Sequence, residues 1–397
     1  MIYRPIGKTG KQASIIGLGC EHLDGKPYEQ VKSVIDTALD HGVNIFDIFM
    51  PGKEVRENIA RAFGSRRKDV LIQGHICSTN VGQQYDISRD MPAVQKFFEE
   101  HLRLCGGHID FGMLFFIDSE DDYKNVFDMG IAGYALKLKE KGDISHIGFS
   151  SHNPVTAIKA VNTGLVELMM FSINPAFDII PTEEYALNVL EKGFNADIFA
   201  GIEPKRAELY RLCEQKNVGI TVMKMLGAGK LISPEHSPFA KPLTVTQCIH
   251  YALSRPAVVS VLPGCKTPQE LNEAVKYLDA SEEDRDYTAI LSQVRGTNAA
   301  GLKGNCFYCN HCQPCPSGID ITAVNKYLDI ALLEKRALLE KRTQLDAADV
   351  PPSIRLHYNS LEHKGGECIE CGNCESRCPF GVKIIENMKK AHSLLFI

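Results

Sequence analysis

Two short runs of cysteine near the C-terminus carry the clearest chemistry in this 397-residue sequence. Together they hold eight of the fourteen cysteines. Three thiolates spaced by two residues can wrap one face of a cubane iron–sulfur cluster from a single loop. The sequence therefore predicts two 4Fe–4S clusters, with eight metal ligands. The first run supplies Cys306, Cys309, Cys312 and Cys315, and the second supplies Cys368, Cys371, Cys374 and Cys378.

The second run has the C-x2-C-x2-C-x3-C-P spacing of bacterial ferredoxins, whose fourth Cys ligates the other cluster of a pair. That resemblance implies exchanged ligand sets, in which Cys378 joins the first run and Cys315 joins the second. The first run has two residues before its last Cys where the ferredoxin pattern has three. The alternative is therefore that each run holds its own cluster.

Clustered cysteines can also bind zinc or form disulfides, and these are the alternatives to iron–sulfur clusters. Four-cysteine zinc sites usually consist of two C-x2-C pairs set well apart, which differs from the tight runs here. A disulfide framework is typical of secreted chains, and the opening MIYRPIGKTG lacks the apolar core of a secretory signal. We therefore expect a cytoplasmic protein. The formal net charge of −5 argues against nucleic acid as a partner.

The first 280 residues repeat one pattern, in which a short apolar run is followed by a polar turn and an amphipathic stretch. Eight strand-like runs alternating with helices predict a (β/α)8 TIM barrel, with a doubly wound open sheet as the rival. The C-terminal part contains the cysteine runs, a charged helix from about 321 to 345 and a last helix after 383. These patterns predict a barrel over residues 1–296 and a small α-helical, ferredoxin-like domain over 297–397. The eight strand-like apolar runs cover residues 14–19, 43–49, 69–76, 111–117, 144–150, 168–173, 219–225 and 258–264.

Several segments of the predicted barrel resemble the aldo-keto reductases. The opening Y-R-x-x-G-K-T-G, the segment N-I-F-D ending at Asp47 and G-F-S-S-H-N at 148–153 each match that family's pattern. The segment V-M-K-M-L-G-A-G-K-L at 222–231 is close to an element of the branch that carries a C-terminal ferredoxin-like region. The resemblance implies a reductase fold and an oxidoreductase function.

The same resemblance shows where the chain departs from the family. Aldo-keto reductases use an Asp-Tyr-Lys-His tetrad, in which Tyr protonates the carbonyl while NADPH delivers hydride. Asp47 is present, but no Tyr follows it. The Lys position falls on His75, and the His position falls on Phe115. We therefore predict that Asp47 and His75 manage protons, the alternative being that they are remnants held by hydrogen bonds near the barrel mouth.

The remaining strand ends supply predicted cofactor ligands. Ser150, Asn153 and Asn174 stand where the family holds the nicotinamide amide, and they could equally hold the edge of a flavin ring. Loops after strands seven and eight of TIM barrels commonly bind phosphate. In this chain those loops carry Lys224, Gly227, Gly229, Gly264, Lys266 and Thr267.

The number of electrons exchanged in each step limits which cofactor the barrel could bind. A 4Fe–4S cluster changes by one electron, whereas a nicotinamide exchanges a hydride, so coupling the two normally needs a flavin. The leading hypothesis is an oxidoreductase that passes electrons between its clusters and a barrel-bound FMN or NADP(H) to reduce or oxidise a small organic substrate. A ferredoxin-like one-electron carrier would be its partner, and a homodimer is conceivable. The alternatives are an NADP-dependent reductase with structural clusters, and a non-catalytic electron-transfer or sensor protein.

Overall fold

Eight parallel strands form the centre of the computed structural model, which describes residues 1–80, 86–179, 203–239, 241–288, 304, 306, 312–338, 350, 352–378 and 380–397. The strand order along the sheet is β3-β4-β5-β8-β9-β10-β11-β12, with every neighbouring pair parallel. Parallel bridges from Ile16 to Val261 and from Gly19 to Gly264 join the first strand to the last. The predicted (β/α)8 barrel is thus confirmed, and the open doubly wound sheet is wrong.

Each of the eight predicted apolar runs overlaps one barrel strand, although β8 begins two residues before its run and β9 ends one residue after its run. Runs of this kind are typical of parallel strands because both faces of such a sheet are covered. An antiparallel hairpin, β1 with β2, precedes the barrel, and β6 pairs antiparallel with β7. The strands are β1 Tyr3–Pro5, β2 Gln12–Ser14, β3 Leu18–Gly19, β4 Ile45–Ile48, β5 Leu71–Ile76, β6 Ser78–Thr79, β7 Asp86–Ile87, β8 Ile109–Leu114, β9 Ile144–Ser151, β10 Leu168–Ser172, β11 Gly219–Met223 and β12 Val258–Val261.

The helices around the barrel bury an apolar face, and several of them begin at capping side chains. Asp90 accepts a hydrogen bond from the backbone of Ala93 at the start of α3, and Thr244 and Gln247 form a capping box at the start of α8. The helices are α1 Tyr28–Asp40, α2 Lys53–Phe63, α3 Met91–Leu104, α4 Glu120–Tyr123, α5 Ile131–Lys141, α6 Pro154–Asn162, α7 Pro204–Gln215, α8 Val245–Leu253, α9 Pro268–Val275, α10 Glu282–Arg285, α11 Ile321–Leu338, α12 Pro352–Asn359, α13 Asn373–Arg377 and α14 Ile384–Leu395.

Two apolar clusters form the core. The smaller one fills the barrel interior with side chains such as Ile45, Leu71, Met113 and Met170, and the larger one lies between the strands and the surrounding helices. Interior positions alternate along each strand with positions that face the helices. In β5 this alternation turns Leu71 inward, and the next two inward positions, 73 and 75, are polar. The polar side chains therefore lie above the apolar filling, toward the C-terminal ends of the strands.

In the described C-terminal region, α11 packs against α7 on the outside of the barrel, and α12 and α14 pack against α11. Lys326 of α11 lies 3.1 Å from Glu214, and Asp329 lies 3.6 Å from Arg211, one turn earlier in α7. The two helices are therefore antiparallel. Glu214 also accepts a hydrogen bond from the backbone of Ala257, directly before β12. These contacts thus lie at the end of the barrel where the strands begin.

The predicted charged helix and the predicted last helix are confirmed by α11 and α14, although residues 339–345 of the former lie outside the described residues. So does the predicted domain boundary at 296/297, which stays a prediction. Among the described residues, no helix combines the length and the apolar character that a membrane crossing requires.

Candidate functional site

The structure brings together Asp47 and His75, the pair predicted to manage protons. His75 Nε2 lies 2.7 Å from Asp47 Oδ1, and both side chains are almost completely buried. Asp47 also accepts a hydrogen bond of 3.0 Å from Gln73 Nε2, and Thr221 Oγ1 donates to Gln73 Oε1 over 2.8 Å. Asp47 and Gln73 are register partners on neighbouring strands, which explains why their side chains meet. Sequence reasoning missed Gln73, although the alternation that turns His75 inward also applies two residues earlier.

The contact with Asp47 determines which nitrogen of His75 is available. A carboxylate is only an acceptor, so Nε2 donates and Nδ1 of the neutral imidazole is left as an acceptor. This Nδ1 is buried and has no hydrogen-bond partner. Buried polar atoms are normally paired, so an unpaired one in a barrel interior indicates a place where a ligand or a water can bind. Among the predicted catalytic residues, His75 is therefore the one with a ring nitrogen available for proton exchange.

Phenylalanine rings form an apolar wall beside His75. The Phe115 ring packs edge-on against His75 at 4.9 Å between centroids and stacks with Phe49 at 5.7 Å. Phe116 contacts Phe115 at 4.9 Å and the ring of His152 at 5.0 Å. The wall follows strands β4 and β8 at their C-terminal ends, which is the end where TIM barrels place reactive groups.

A second carboxylate–imidazole contact lies at the far side of the wall. Asp118 Oδ2 is 2.8 Å from His152 Nδ1, and Asp118 Oδ1 accepts hydrogen bonds from the backbone of His152 at 2.6 Å and from Ser151 Oγ at 3.0 Å. Three donors thus fix one carboxylate between the ends of β8 and β9. This contact orders the loops that border the site.

The three predicted ligands for a nicotinamide or flavin edge differ in what their side chains already do. Asn153 caps α6 through its carbonyl and donates its amide to the Asp118 carbonyl over 2.9 Å. Asn174 accepts from the backbone of Phe177 and donates to the carbonyl of Lys224, each over 2.9 Å. Both amides therefore position loops. The hydroxyl of Ser150 is fully buried and has no hydrogen-bond partner, whereas each Asn amide already makes one donated and one accepted hydrogen bond.

The two predicted phosphate-binding turns follow strands β11 and β12. Lys224, Gly227, Ala228 and Gly229 have positive φ angles of 59°, 56°, 54° and 85°, in a turn after β11. Within this turn the backbone N–H groups of Gly227, Gly229 and Lys230 donate to the carbonyl oxygens of Lys224, Leu226 and Gly227, respectively. After β12, Thr267 caps α9 and Lys266 lies exposed just before it. Gly264 precedes both, at the bridge to Gly19 that closes the barrel.

One cavity in the C-terminal region is lined by cysteines of both runs. Its lining includes Cys315 of the first run together with Cys368, Cys371 and Cys374 of the second. These are the four residues that the ferredoxin resemblance groups as one ligand set. Apolar side chains such as Ile321 and Met388 complete the lining.

Arg377 fastens the two cysteine runs together. Its guanidinium donates to the carbonyl oxygens of Cys312 and Pro314 over 2.8 and 2.7 Å. Cys309 lies outside the described residues, so the other predicted ligand set is only partly visible. Across the described ranges, no three His, Cys, Asp or Glu side chains are arranged as ligands of one metal ion.

Comparisons with known proteins show which family the barrel sequence matches. The model of the Aldo/keto reductase family matches residues 15–244, which is more than half of the chain. The chain belongs to the aldo/keto reductase family. Relative to "Uncharacterized oxidoreductase YqkF" of Bacillus subtilis (strain 168), it is 24% identical over 304 residues, which cover 70% of this chain and 91% of that protein.

A solved structure supports the fold of this aldo/keto reductase family member. The aldo-keto reductase AKR11C1 from Bacillus halodurans, in its holo form, superposes with a TM-score of 0.57 at 16% sequence identity. The superposition covers 76% of this chain and 99% of the Bacillus halodurans chain. At the level of family, barrel and oxidoreductase class, the sequence-based predictions are therefore confirmed.

Proposed function

We propose that this protein is an oxidoreductase whose barrel binds NADP(H) or FMN and whose Asp47–His75 pair exchanges the proton that accompanies electron transfer to a small organic substrate. The observation that carries the proposal is the buried 2.7 Å contact that leaves His75 Nδ1 without a partner. A proton-transfer group must lie within hydrogen-bond reach of its target, and the unpaired ring nitrogen could accept a hydrogen bond from a substrate bound at the C-terminal end of β5.

Each neighbouring residue has a definable task in this proposal. Asp47 holds the imidazole in one tautomer and orientation, and Gln73 with Thr221 holds Asp47. His75 Nδ1 exchanges a proton with an oxygen of the substrate. The wall of Phe49, Phe115 and Phe116 excludes water and favours a flat, apolar substrate. Because the family's tyrosine is absent, the imidazole replaces a phenol as the proton-transfer group.

The predicted cofactor ligands fit a nucleotide or flavin phosphate. The exposed Lys266 and the start of α9 would hold the phosphate, and Ser150 would contact the redox-active ring. Bound NADP(H) or FMN would supply the electrons. The amides of Asn153 and Asn174 act by holding the loops that border this site. Analysis of the small molecules released by heating distinguishes the flavin from the nicotinamide.

The cavity with four cysteine side chains supports the second part of the proposal, a 4Fe–4S cluster held by Cys315, Cys368, Cys371 and Cys374. In a cubane each thiolate binds a different iron, so the ligands surround a core that is wider than one ion. Such a cluster supplies one-electron transfer. Cys306, Cys309, Cys312 and Cys378 would hold the second cluster. If the barrel binds FMN, a relay from clusters to flavin is chemically balanced; with NADP(H) alone, the clusters serve another partner or stabilise the fold.

Replacing His75 with Gln tests the proton role. Turnover of a flat aromatic dicarbonyl such as phenanthrenequinone, with NADPH or with reduced protein-bound FMN, should fall about 100- to 10,000-fold, the usual contribution of a general acid–base group. Binding of the cofactor should stay within a few-fold of the parent. The matched control is His41→Gln, which changes an exposed histidine bonded to Asn272. Full activity of the His75 variant would remove this residue from the mechanism.

Iron content tests the ligand pairing. A triple variant with Ser at 368, 371 and 374 should hold about four irons instead of about eight, because it loses one cubane. Adding Cys315→Ser to the triple variant should remove no further iron, whereas adding Cys378→Ser should remove the rest. The opposite pattern would mean that each run holds its own cluster. Zinc in place of iron would refute the redox assignment of the C-terminal region.

A further inference from the structure

Arg89 joins the ends of two barrel strands that border the candidate site. It lies just before α3, and its guanidinium donates to the carbonyl oxygens of Phe115 and Phe116, over 2.8 Å in the second case. These two phenylalanines follow β8 directly. The preceding residue, Ser88, donates its backbone N–H over 3.1 Å to the carbonyl of Cys77, which follows β5 directly. The segment therefore bridges the C-terminal ends of β5 and β8.

Two consecutive carbonyl groups accept hydrogen bonds from this one guanidinium. In an extended strand consecutive carbonyl groups point in opposite directions, so the chain must leave the extended conformation at Phe115 and Phe116 for both oxygens to reach Arg89. The pairing with β9 resumes at Ile117, whose backbone donates to the carbonyl of Ser150 over 2.8 Å. An arginine suits this contact, because its planar fork directs several N–H donors toward fixed acceptors. Arg89 therefore holds the bend that orients the two phenylalanine rings.

The countercharge of Arg89 comes from the loop that follows the two phenylalanines. Asp122 Oδ1 lies 2.9 Å from Arg89 Nη2. The other carboxylate oxygen, Oδ2, accepts hydrogen bonds from the hydroxyl of Ser119 over 2.7 Å and from the backbone of Asp118 over 3.3 Å. Asp118 is the carboxylate that holds His152. The guanidinium thus ties the backbone of the aromatic wall to the loop that carries the second carboxylate–imidazole contact.

We propose that Arg89 determines the specificity of the site for flat aromatic substrates by holding the rings of Phe115 and Phe116 in place. This inference rests on the proposed function. The Phe115 ring packs against His75 at 4.9 Å between centroids, and the Phe116 ring packs against His152 at 5.0 Å. A rotation of either peptide moves the attached ring, and with it the wall against which a flat substrate would pack. Arg89 is a positioning residue, since it acts through the backbone of that wall.

Arg67 offers a matched control at the opposite end of the same two strands. It donates to the carbonyl oxygens of Val70 and His108 over 3.1 and 2.8 Å, and these residues directly precede β5 and β8. Its guanidinium also lies 3.4 Å from Asp110. Arg67 and Arg89 thus make the same kinds of contact, with side chains that are 24% and 17% exposed. Of the two, only Arg89 lies at the end that carries the aromatic wall.

Steady-state kinetics and equilibrium dialysis of the full-length protein test this proposal. The flat aromatic phenanthrenequinone is compared with the small aliphatic diacetyl, each with NADPH or with reduced protein-bound FMN. Arg89→Met should raise the KM and the Kd for phenanthrenequinone about tenfold or more, the scale of a lost apolar contact in a substrate pocket, and keep kcat within a few-fold of the parent. The kcat/KM for diacetyl should change by less than about threefold, because a small substrate needs little of the wall.

The control variant separates positioning from stability. Arg67→Met should shift the midpoint of urea unfolding about as far as Arg89→Met, because each variant leaves backbone carbonyls and one carboxylate without their guanidinium. It should leave the Kd and the preference for the aromatic substrate unchanged. Arg89→Lys, which keeps the charge but not the planar fork, should weaken phenanthrenequinone binding by a smaller factor, and it serves as the test if the Met variant does not fold.

Dialysis of phenanthrenequinone against the oxidised protein needs no turnover, so it separates this inference from the proposed function. A parent protein that binds the quinone without reducing it, with binding weakened in Arg89→Met, would refute the proposed reaction and support the role of Arg89. Turnover by the parent with an equal Kd in Arg89→Met would overturn the role of Arg89 alone. Equal weakening in Arg67→Met would show a purely structural effect and overturn it as well. A parent that reduces diacetyl but does not bind the quinone would also refute this inference.

Discussion

Replacing Asp178 with Asn is expected to lower the free energy of unfolding by about 3–5 kcal/mol, the usual loss when one partner of a buried ion pair is removed. Asp178 is 2% exposed and accepts hydrogen bonds from Tyr210 Oη at 2.6 Å and from Tyr251 Oη at 2.7 Å. Arg206 Nη1 lies 3.6 Å from the same carboxylate and is itself 3% exposed. Without the negative charge, the Arg206 guanidinium stays buried with no countercharge in this network.

The two hydroxyl groups give an independent estimate of the same loss. A hydrogen bond to a charged group stabilises by about 1.5–3 kcal/mol. Burial raises the pKa of Tyr210 and of Tyr251 well above the ordinary value, so both remain donors over the usual pH range. An Asn side chain can accept from one hydroxyl but presents an amide donor to the other. Tyr210→Phe, which keeps the charge and removes one donor, should therefore lower stability by only about 1.5–3 kcal/mol.

Urea-induced unfolding, followed by far-ultraviolet circular dichroism, measures both variants against the parent protein. The network anchors residues 173–179 after β10, which include Asn174, so the Asp178 variant should also bind the proposed cofactor, NADP(H) or FMN, more weakly. If Asp178→Asn were within about 1 kcal/mol of the parent, the network would be uncoupled from stability, and the argument from a buried ion pair would be refuted.

Two further predictions concern stability. Burial lowers the pKa of His250 to about 4. Below pH 6.5, therefore, the His250 imidazole is protonated in the unfolded chain but stays neutral in the folded chain until the pH approaches 4. The unfolding free energy should therefore fall by up to about 3 kcal/mol as the pH drops from 6.5 to 4, and His250→Gln should flatten that slope in denaturation measured at several pH values. Gly7→Ala should destabilise far more than Gly10→Ala in thermal unfolding, because both glycines have positive φ but only the Cβ at Gly7 would meet a backbone atom, the Asn217 carbonyl oxygen at 2.0 Å. Equal losses would show that the backbone conformation alone, and not this contact, determines the effect.

Local patterns predicted the elements and their end-to-end order well. The apolar run at 69–76 contains β5, and its alternation explains why His75 turns into the barrel. The predicted cofactor contacts of Asn153 and Asn174 stay predictions. Their positions suggested contacts with a cofactor, but both amides make hydrogen bonds with neighbouring loops. Such bonds depend on backbone atoms of other strands, which no pattern within one segment reveals.

The amino-acid sequence by itself determined the barrel, the family resemblance, the loss of the tyrosine and the two cysteine runs, because periodicity, spacing and residue type are local properties. Only the tertiary structure decided that Asp47 meets His75 with one ring nitrogen left unpaired, because that contact requires two strands in register. It also decided that Cys315 lines one cavity with three cysteines of the second run. The antiparallel packing of α11 on α7 places that cavity at the far end of the barrel, and packing between distant segments cannot be read from spacing along the chain.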